Sequence, residues 1–293
     1  MKIIRDPVKI QNLLSKFSNK KKIGFVPTMG ALHEGHLSLI RKARKENDIV
    51  VVSIFVNPLQ FGPKEDFKKY PRPIKKDLYL CKKENVDFVF YPDVKSYYKK
   101  DHLTFVEVEK LSSILCGRYR KGHFKGVTTV VTKLFNTVKP DVAYFGQKDL
   151  QQAIIIKKMV EDLNFPIKIK ISPIVRDSDG LALSSRNVYL NPEERKRALS
   201  LYRSLKEGFN LWSKGEKNAK KIQRCILNVL YEGIDTKKDS IDYVEIIDTE
   251  SLEKKEIIDK KSAAVIAVRI GSTRLIDNII FDKDSNGLYN SND

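Results

Sequence analysis

The sequence predicts an α/β protein: a doubly wound parallel sheet followed by a smaller C-terminal α+β domain. Three observations carry that prediction. Over residues 1–175, short apolar runs alternate with amphipathic stretches at strand–helix spacing. The run Ile49-Val50-Val51-Val52-Ser53-Ile54-Phe55-Val56 is β-branched and apolar almost throughout, as a strand buried on both faces of a parallel sheet requires. After residue 175 the alternation stops, and two long amphipathic stretches precede two apolar runs. The expected domains are therefore 1–175 and 176–293, each long enough for a core of its own.

Composition narrows the function classes. With 41% hydrophobic and 31% charged residues, the chain reads as a soluble globular protein. No apolar run approaches the ~20 residues of a membrane span. The opening Met1–Phe17 lacks the apolar stretch and cleavage site of a secretory signal and reads instead as a short strand and helix. Cys81, Cys116 and Cys225 are scattered, odd in number and without Cys-x-x-Cys spacing. That favours a reducing compartment, the cytoplasm, and argues against a zinc site. The net charge of +18 raises nucleic acid as an alternative partner. Yet the lysines are spread along the chain, many beside Glu or Asp, with no interleaved aromatic platform. They read as a solvated surface whose positive field attracts anionic substrates, with neither a nucleic-acid nor a membrane partner.

The first strand after the N-terminal elements is Ile23-Gly24-Phe25-Val26. It feeds Pro27-Thr28-Met29-Gly30-Ala31-Leu32-His33-Glu34-Gly35-His36, and Leu37–Ala43 then begins an amphipathic helix. A strand entering a helix through a turn with two glycines makes an anion site, because the first helical amides point outward unpaired. His33 and His36, three apart, share one face of that first turn and suit a polyphosphate. The spacing is neither the phosphate loop of the common NTPases, nor the GxGxxG turn, nor His-Glu-x-x-His. The competing reading is two surface histidines at a helix start.

Further on, Asn57-Pro58-Leu59-Gln60 follows the second parallel strand, where doubly wound sheets bind ligands. Asn57 and Gln60 are candidates to bond a small polar substrate, or Asn57 simply satisfies a turn. A helix opened by Asp77 and running through Leu78, Leu80 and Cys81 comes next, then strands at Val86–Pro92 and Thr104–Val108. The basic, glycine-rich loop Cys116–Val127 leads into a helix carrying Val127, Val130, Val131, Leu134, Phe135 and Val138, which stops before Pro140. His123, at the head of that helix, is a candidate to help fix substrate, with a structural histidine bonded to loop carbonyls the favoured reading. Strand Val142–Gly146 ends where Gly146 permits close backbone approach to a nucleotide. There Lys148 supplies a point charge for phosphate, and Asp149 is either a ribose acceptor or a helix cap. A helix through Ile154 and Met159 and an alternating strand Ile167–Ile171 complete the first domain. Arg176–Asn187 reads as a mobile phosphate-clamping loop with a flexible point at Gly180, or as a linker. Helices at about 192–213 and 217–232, strands Tyr243–Ile247 and Ala263–Val268, and a loose tail beyond Asp282 follow.

The stretch Pro27–His36 followed by Leu37–Arg44 resembles the pantoate–β-alanine ligases, nucleotidyl transferases whose His-x-Gly-His signature is shared with class I aminoacyl-tRNA synthetases. The likeness recurs at Ser53–Phe61 with Tyr70-Pro71-Arg72, at Arg120–Phe124, at Phe145–Gln152, at Arg176–Asn187 and at Ile270–Asn278. It implies a Rossmann-like, nucleotidyl-transferase-type first domain under a C-terminal lid, and a homodimer. It also implies a two-step reaction of ATP, pantoate and β-alanine through a pantoyl adenylate, with magnesium on the ATP. Carried over by position, the ATP contacts are Met29, His33, His36, Gly146, Lys148, Asp149, Val175, Leu183, Ser184, Ser185 and Arg186. Of these, His33, His36, Lys148 and Arg186 are the catalytic set. Pantoate falls to Gln60 and Gln152, with Asn57 beside them, and the metal to Asp77, where an ordinary solvated helix start is the competing reading. The chain departs from the pattern at Lys76, where a second acidic residue is usual, at Lys121 for proline, at Gln147 for glutamate and at Leu183 for methionine. An adenylating enzyme of the same group acting on another acid is the alternative.

Overall fold

A computed structural model describes residues 1–17, 20–63 and 65–282. The Asp-, Ser- and Asn-rich tail expected to be loose lies outside the described residues. In chain order the elements are β1 (Lys2–Ile4), α1 (Pro7–Ser15), β2 (Ile23–Thr28), α2 (Glu34–Glu46), β3 (Ile49–Ile54), α3 (Ile74–Lys83), β4 (Phe88–Phe90), α4 (Val94–Tyr97), α5 (Cys116–Tyr119), α6 (His123–Val138), β5 (Val142–Gly146), α7 (Leu150–Asp162) and β6 (Lys168–Ser172). Then come α8 (Pro192–Ser213), α9 (Ala219–Gly233), β7 (Ser240–Asp248), β8 (Ser262–Ile270) and β9 (Thr273–Ile280). Two compact units result, Met1–Phe145 with Ile155–Ile171, and Gly146–Ile154 with Ser172–Asp293.

In the first unit the strand order is β1-β4-β3-β2-β5-β6, with parallel pairing from β1 through β5. The order reverses beside β2, so the carboxyl end of β2 is a topological switch point. β2 is apolar on both faces for that reason. Val26 packs with Leu37 and Ile40 of α2, while Phe25 meets Phe135 of α6 edge-on at 6.4 Å between centroids. Three aspartates, each one residue ahead of a strand, fix the register at the other end. Asp48 accepts the Lys22 N–H, Asp141 the Ile23 N–H and Asp87 the Val50 N–H, at 2.6–2.8 Å.

The strand expected at Thr104–Val108 does not form. Its backbone is satisfied by helix side chains instead: the Val106 N–H donates to Thr129 Oγ1 at 3.0 Å, and the Val106 carbonyl accepts from Thr128 Oγ1 at 2.6 Å. Apolar alternation in that segment reflects packing beside α6, not a ladder.

The second unit holds the antiparallel sheet β7-β8-β9 with α8 and α9 packed on it through Leu201, Leu205, Ile222, Ile226, Val268 and Leu275. α8 begins at Pro192, with Asn191 and Glu194 exchanging side-chain and backbone bonds as a capping box. α9 starts two residues later than expected because Asn218 is its cap, accepting from the Lys221 N–H at 3.1 Å. The third strand, β9, lies in the closing stretch Ile270–Asn278, and Gly271, at φ +54°, turns the chain back from β8.

Candidate active site

In the first unit, β2 releases the chain at Thr28 into the turn Met29–Leu32, which enters α2 at the capping residue His33. Gly30 and Ala31 both have positive φ, 81° and 51°. Glycine adopts that region freely, whereas alanine there costs about 1–3 kcal/mol and must be held. Asp77 holds it from the first turn of α3, a helix that opens at Ile74, three residues ahead of the start expected at Asp77: Oδ2 accepts the Ala31 N–H and Oδ1 the Leu32 N–H, each at 2.8 Å. His33 and His36 then lie with ring centroids 4.1 Å apart. His36 Nδ1 accepts the His33 N–H at 3.3 Å, so the ring proton sits on Nε2 and serves as a donor at the helix N-terminus.

The metal expected at Asp77 does not fit this geometry. The residue is 1% exposed and both carboxylate oxygens are engaged by amides. Magnesium keeps an octahedral shell made largely of water, which a carboxylate so enclosed does not admit. Burial pushes the Asp77 carboxyl up, against the opposing pull of the Leu32 and Ala31 amides. Among the described residues no cluster of three or more His, Cys, Asp or Glu side chains is arranged to hold a metal ion.

Beyond β3, Pro58–Gln60 form a 3-10 turn capped by Asn57. Asn57 is 1% exposed, and its amide is fully used inside the unit. Nδ2 donates to Gln60 Oε1 and to the Gly126 carbonyl, both at 3.0 Å, while Oδ1 accepts from Tyr98 Oη at 3.0 Å and the Leu59 N–H at 3.3 Å. The expected pantoate contact at Asn57 therefore gives way to a positioning task, since nothing remains on it to offer a ligand. The side chain it positions is Gln60, whose Nε2 also reaches Met29 Sδ at 3.2 Å. His123 Nδ1 donates to the Gln60 carbonyl at 2.8 Å, and its Nε2 accepts from Arg120 at 3.0 Å. Arg120 in turn clasps Glu65 with both ends of its guanidinium, at 2.8 and 2.6 Å. Burial works to raise the Glu65 carboxyl, but the Arg120 bonds and charge outweigh it and hold the group below its usual range.

In the second unit, Gly146 leads into the 3-10 turn Gln147–Asp149 ahead of α7. Lys148 and Asp149 lie 3.8 Å apart, a loose pair that leaves Asp149 half exposed, and Gln152 follows in the first turn of α7. Asn278 of β9 fastens this turn: Nδ2 donates to the carbonyls of Gln147 and Lys148 at 2.9 and 3.1 Å, and Oδ1 accepts from Gln147 Nε2 at 3.1 Å. Its neighbour Asp277 accepts two bonds from Arg176, at 2.6 and 2.9 Å, and Arg176 also lies 3.7 Å over the Tyr202 ring.

The segment read as a mobile loop is tethered in its first half. Leu183 N–H donates to the Val175 carbonyl at 3.0 Å and Asp177 N–H to the Leu181 carbonyl at 2.8 Å, making a small hairpin. Gly180 sits at its tip with φ +94° and Tyr202 against it, so it serves a tight turn and not flexibility. Arg195 pairs with Asp177 and Asp179 at 2.7 Å. Ser184 then caps a 3-10 turn by accepting the Arg186 N–H at 3.3 Å, which places Ser185 and Arg186 in its first positions.

The sequence profile of the pantoate-beta-alanine ligases matches residues 2–280. The chain belongs to that family. Like other pantoate–β-alanine ligases it is an enzyme that forms a bond at the expense of ATP. Among curated members, the pantothenate synthetase of Thermotoga neapolitana is 57% identical over 96% of this chain and 99% of its own length. The crystal structure of pantothenate synthetase from Thermus thermophilus is 41% identical and superposes with a TM-score of 0.91, covering 96% of this chain and 99% of that one. Pantoate-beta-alanine ligase from Francisella tularensis, crystallised with Beta-gamma ATP and Beta-alanine, is 34% identical, with a TM-score of 0.78 over 96% and 98% of the two chains.

Pattern reading passed over several residues that hold these turns. Glu65 and Tyr98 act on the Gln60 turn through partners distant in sequence, and nothing local marks them. Asp277 and Asn278 carried a signal, since they close the last stretch that resembles the family.

Proposed function

We propose that this chain condenses pantoate with β-alanine to pantothenate in two steps. In the first, an oxygen of the pantoate carboxylate attacks the α-phosphorus of ATP in line. The bond to the β-phosphate bridging oxygen breaks, and pantoyl adenylate and pyrophosphate form. In the second, the neutral amine of β-alanine attacks the acyl carbon. The acyl–oxygen bond breaks, AMP leaves with the electron pair, and the amine proton passes to the medium. The substrate carboxylate is the nucleophile, so the protein's work is positioning and charge stabilisation.

His33 and His36 meet the triphosphate as hydrogen-bond donors at the head of α2, where the helix field also favours negative charge. Lys148, Ser184, Ser185 and Arg186 take the charge that grows on the departing pyrophosphate. Asp149 receives the ribose hydroxyls, and Met29, Gly146, Val175 and Leu183 shape the nucleotide's surroundings. Gln60 and Gln152 hold pantoate, with Asn57 fixing the first of them. Magnesium enters with the nucleotide as part of the substrate. The protein works as a homodimer in the cytoplasm.

The observation that supports this reading above the others is the family match across residues 2–280. The test is pyrophosphate release from ATP with pantoate present and β-alanine first withheld, then added. Pantoate-dependent pyrophosphate, with AMP and pantothenate appearing only after β-alanine, is the expected result. Folded protein giving no pantoate-dependent signal would overturn the choice of acid.

A further inference from the structure

Asp77 is a buried carboxylate bonded to the turn that leads into the histidines, and it faces backbone and not solvent. Its two oxygens receive consecutive amides, Ala31 and Leu32, in a turn whose Gly30 and Ala31 both lie at positive φ. A Cβ at Gly30 would stand 2.9 Å from Asp77 Oδ2 and 3.0 Å from Ile54 Cγ2, so the turn is seated tightly against this carboxylate. Asp77 itself is fixed by its own helix, its N–H donating to the Pro73 carbonyl at 3.0 Å. Left without the clamp, the two amides lose their acceptor and Ala31 relaxes toward negative φ. His33 is the next residue after Leu32, and His36 is bonded to the His33 amide at 3.3 Å, so both rings turn with it.

We propose that Asp77 is a positioning residue that sets the direction of His33 and His36 by clamping the Ala31 and Leu32 amides, and that it is not a magnesium ligand. The proposal rests on the reading that these histidines act on the triphosphate. It also explains how the chain does without a second acidic residue at Lys76, because a clamp needs one carboxylate while a metal site gains from two.

Asp77→Asn tests it. The isosteric amide keeps one acceptor oxygen and sets an N–H against the other backbone amide. Hydrogen–deuterium exchange of the nucleotide-free, metal-free protein is measured across Met29–His36, and pantoate-dependent pyrophosphate release is measured over a range of magnesium concentrations. Faster exchange at Ala31 and Leu32, with the maximal rate reduced about 10- to 100-fold and the magnesium half-saturation unchanged, is the expected result. Unchanged exchange overturns the proposal. So does a raised magnesium half-saturation with the rate restored at saturating magnesium. Faster exchange with a parental rate also overturns it, and His36→Ala then locates the failure. An inactive His36→Ala leaves the histidine reading standing, whereas an active one shows that the histidine reading itself failed. Should Asp77→Asn not fold, Asp77→Glu keeps both acceptor oxygens on a longer arm, with an intermediate loss of rate and the same unchanged magnesium dependence expected.

Discussion

Gly126→Ala should disable the Gln60 turn while leaving every polar group in place. Gly126 lies in the first turns of α6, against the 3-10 turn Pro58–Gln60. A Cβ built on it would overlap the Leu59 carbonyl and stand 2.6 Å from the Gln60 amide nitrogen. An unstrained contact needs about 3.5 Å, so one of the two backbones must retreat by roughly 1 Å. Neither is the free end of a side chain that can swing aside. The turn gives way more readily than a sixteen-residue helix, and it carries Gln60 with it and stretches the Asn57 bond to the Gly126 carbonyl. A displacement of about 1 Å in a substrate-holding group costs on the order of 10²-fold in rate. Overpacking itself costs about 1–3 kcal/mol, or roughly 3–10 °C of melting temperature in a chain of this size. Pantoate-dependent pyrophosphate release at varied pantoate should therefore show kcat/KM for pantoate down about 100-fold, most of it in KM. Protein that melts within 1–2 °C of the parent (a shift of about half a kcal/mol or less) and keeps kcat/KM within about twofold would refute the argument, because the turn would then tolerate a shift of that size.

Three further outcomes follow from the same geometry. His36→Ala should keep the parental melt and lose about 10²–10³ in pyrophosphate formation, the cost of one charge-matched donor; a variant turning over within about twofold of the parent would remove His36 from that role. Gly146→Ala is sterically free in the protein, since a Cβ there meets nothing within 4 Å. Its melting temperature should not move while KM for ATP rises, and an unchanged KM would mean that no nucleotide approaches that backbone closely. Glu65 is held below the ordinary 4.5, where burial is outweighed by the bonds and charge of Arg120. Its stabilising contribution is thus complete above pH 4.5 and is lost as the pH falls through the lowered value. The stability gap between parent and Glu65→Gln should be about 1–2 kcal/mol near pH 7 and close as the pH falls below 4.5 and through the lowered value; chemical denaturation giving a constant gap would rule the ion pair out as its source.

What the sequence disclosed is what local chemistry encodes. The alternation of β-branched runs and amphipathic stretches marked the parallel sheet. The turn from Pro27 to His36 announced a strand entering a helix, and both histidines stand at that helix head as the spacing required. The helix expected from about 192 begins there, α8 starting at Pro192 behind its cap Asn191. Where reading failed, the deciding partner was far away. Val106 alternates like a strand, but its backbone is met by Thr128 and Thr129, 22 and 23 residues on, so it has no ladder to join. Gly180 beside small polar residues suggests freedom, yet Tyr202 and the Arg195 ion pairs pin the segment.

The candidate site shows the same division, and it explains how departures from the family pattern are accommodated. Gln147 in place of glutamate looks from the sequence like a lost charge beside Lys148. In the fold, the nitrogen of Asn278 is committed to the carbonyls of Gln147 and Lys148, so its oxygen is left facing the Gln147 side chain and needs a donor. Glutamine supplies one and an ionised glutamate does not. The identity of position 147 is thus matched to a residue 131 positions away, and Lys148 is placed by that match, not by its neighbour's charge. Asn57, Gly126 and Asp77 follow the same logic. Asn57 and Asp77 are residues that a motif would assign to substrate or metal, Gly126 is one that it would leave unassigned, and each is used up in holding a turn. In the proposed reaction the groups that meet ligands are those whose side chains these turns present, Gln60 and the histidine pair in the first unit, and Lys148 in the second. A sequence motif records both kinds of residue alike, and only their hydrogen-bond partners separate the ones that touch substrate from the ones that aim them.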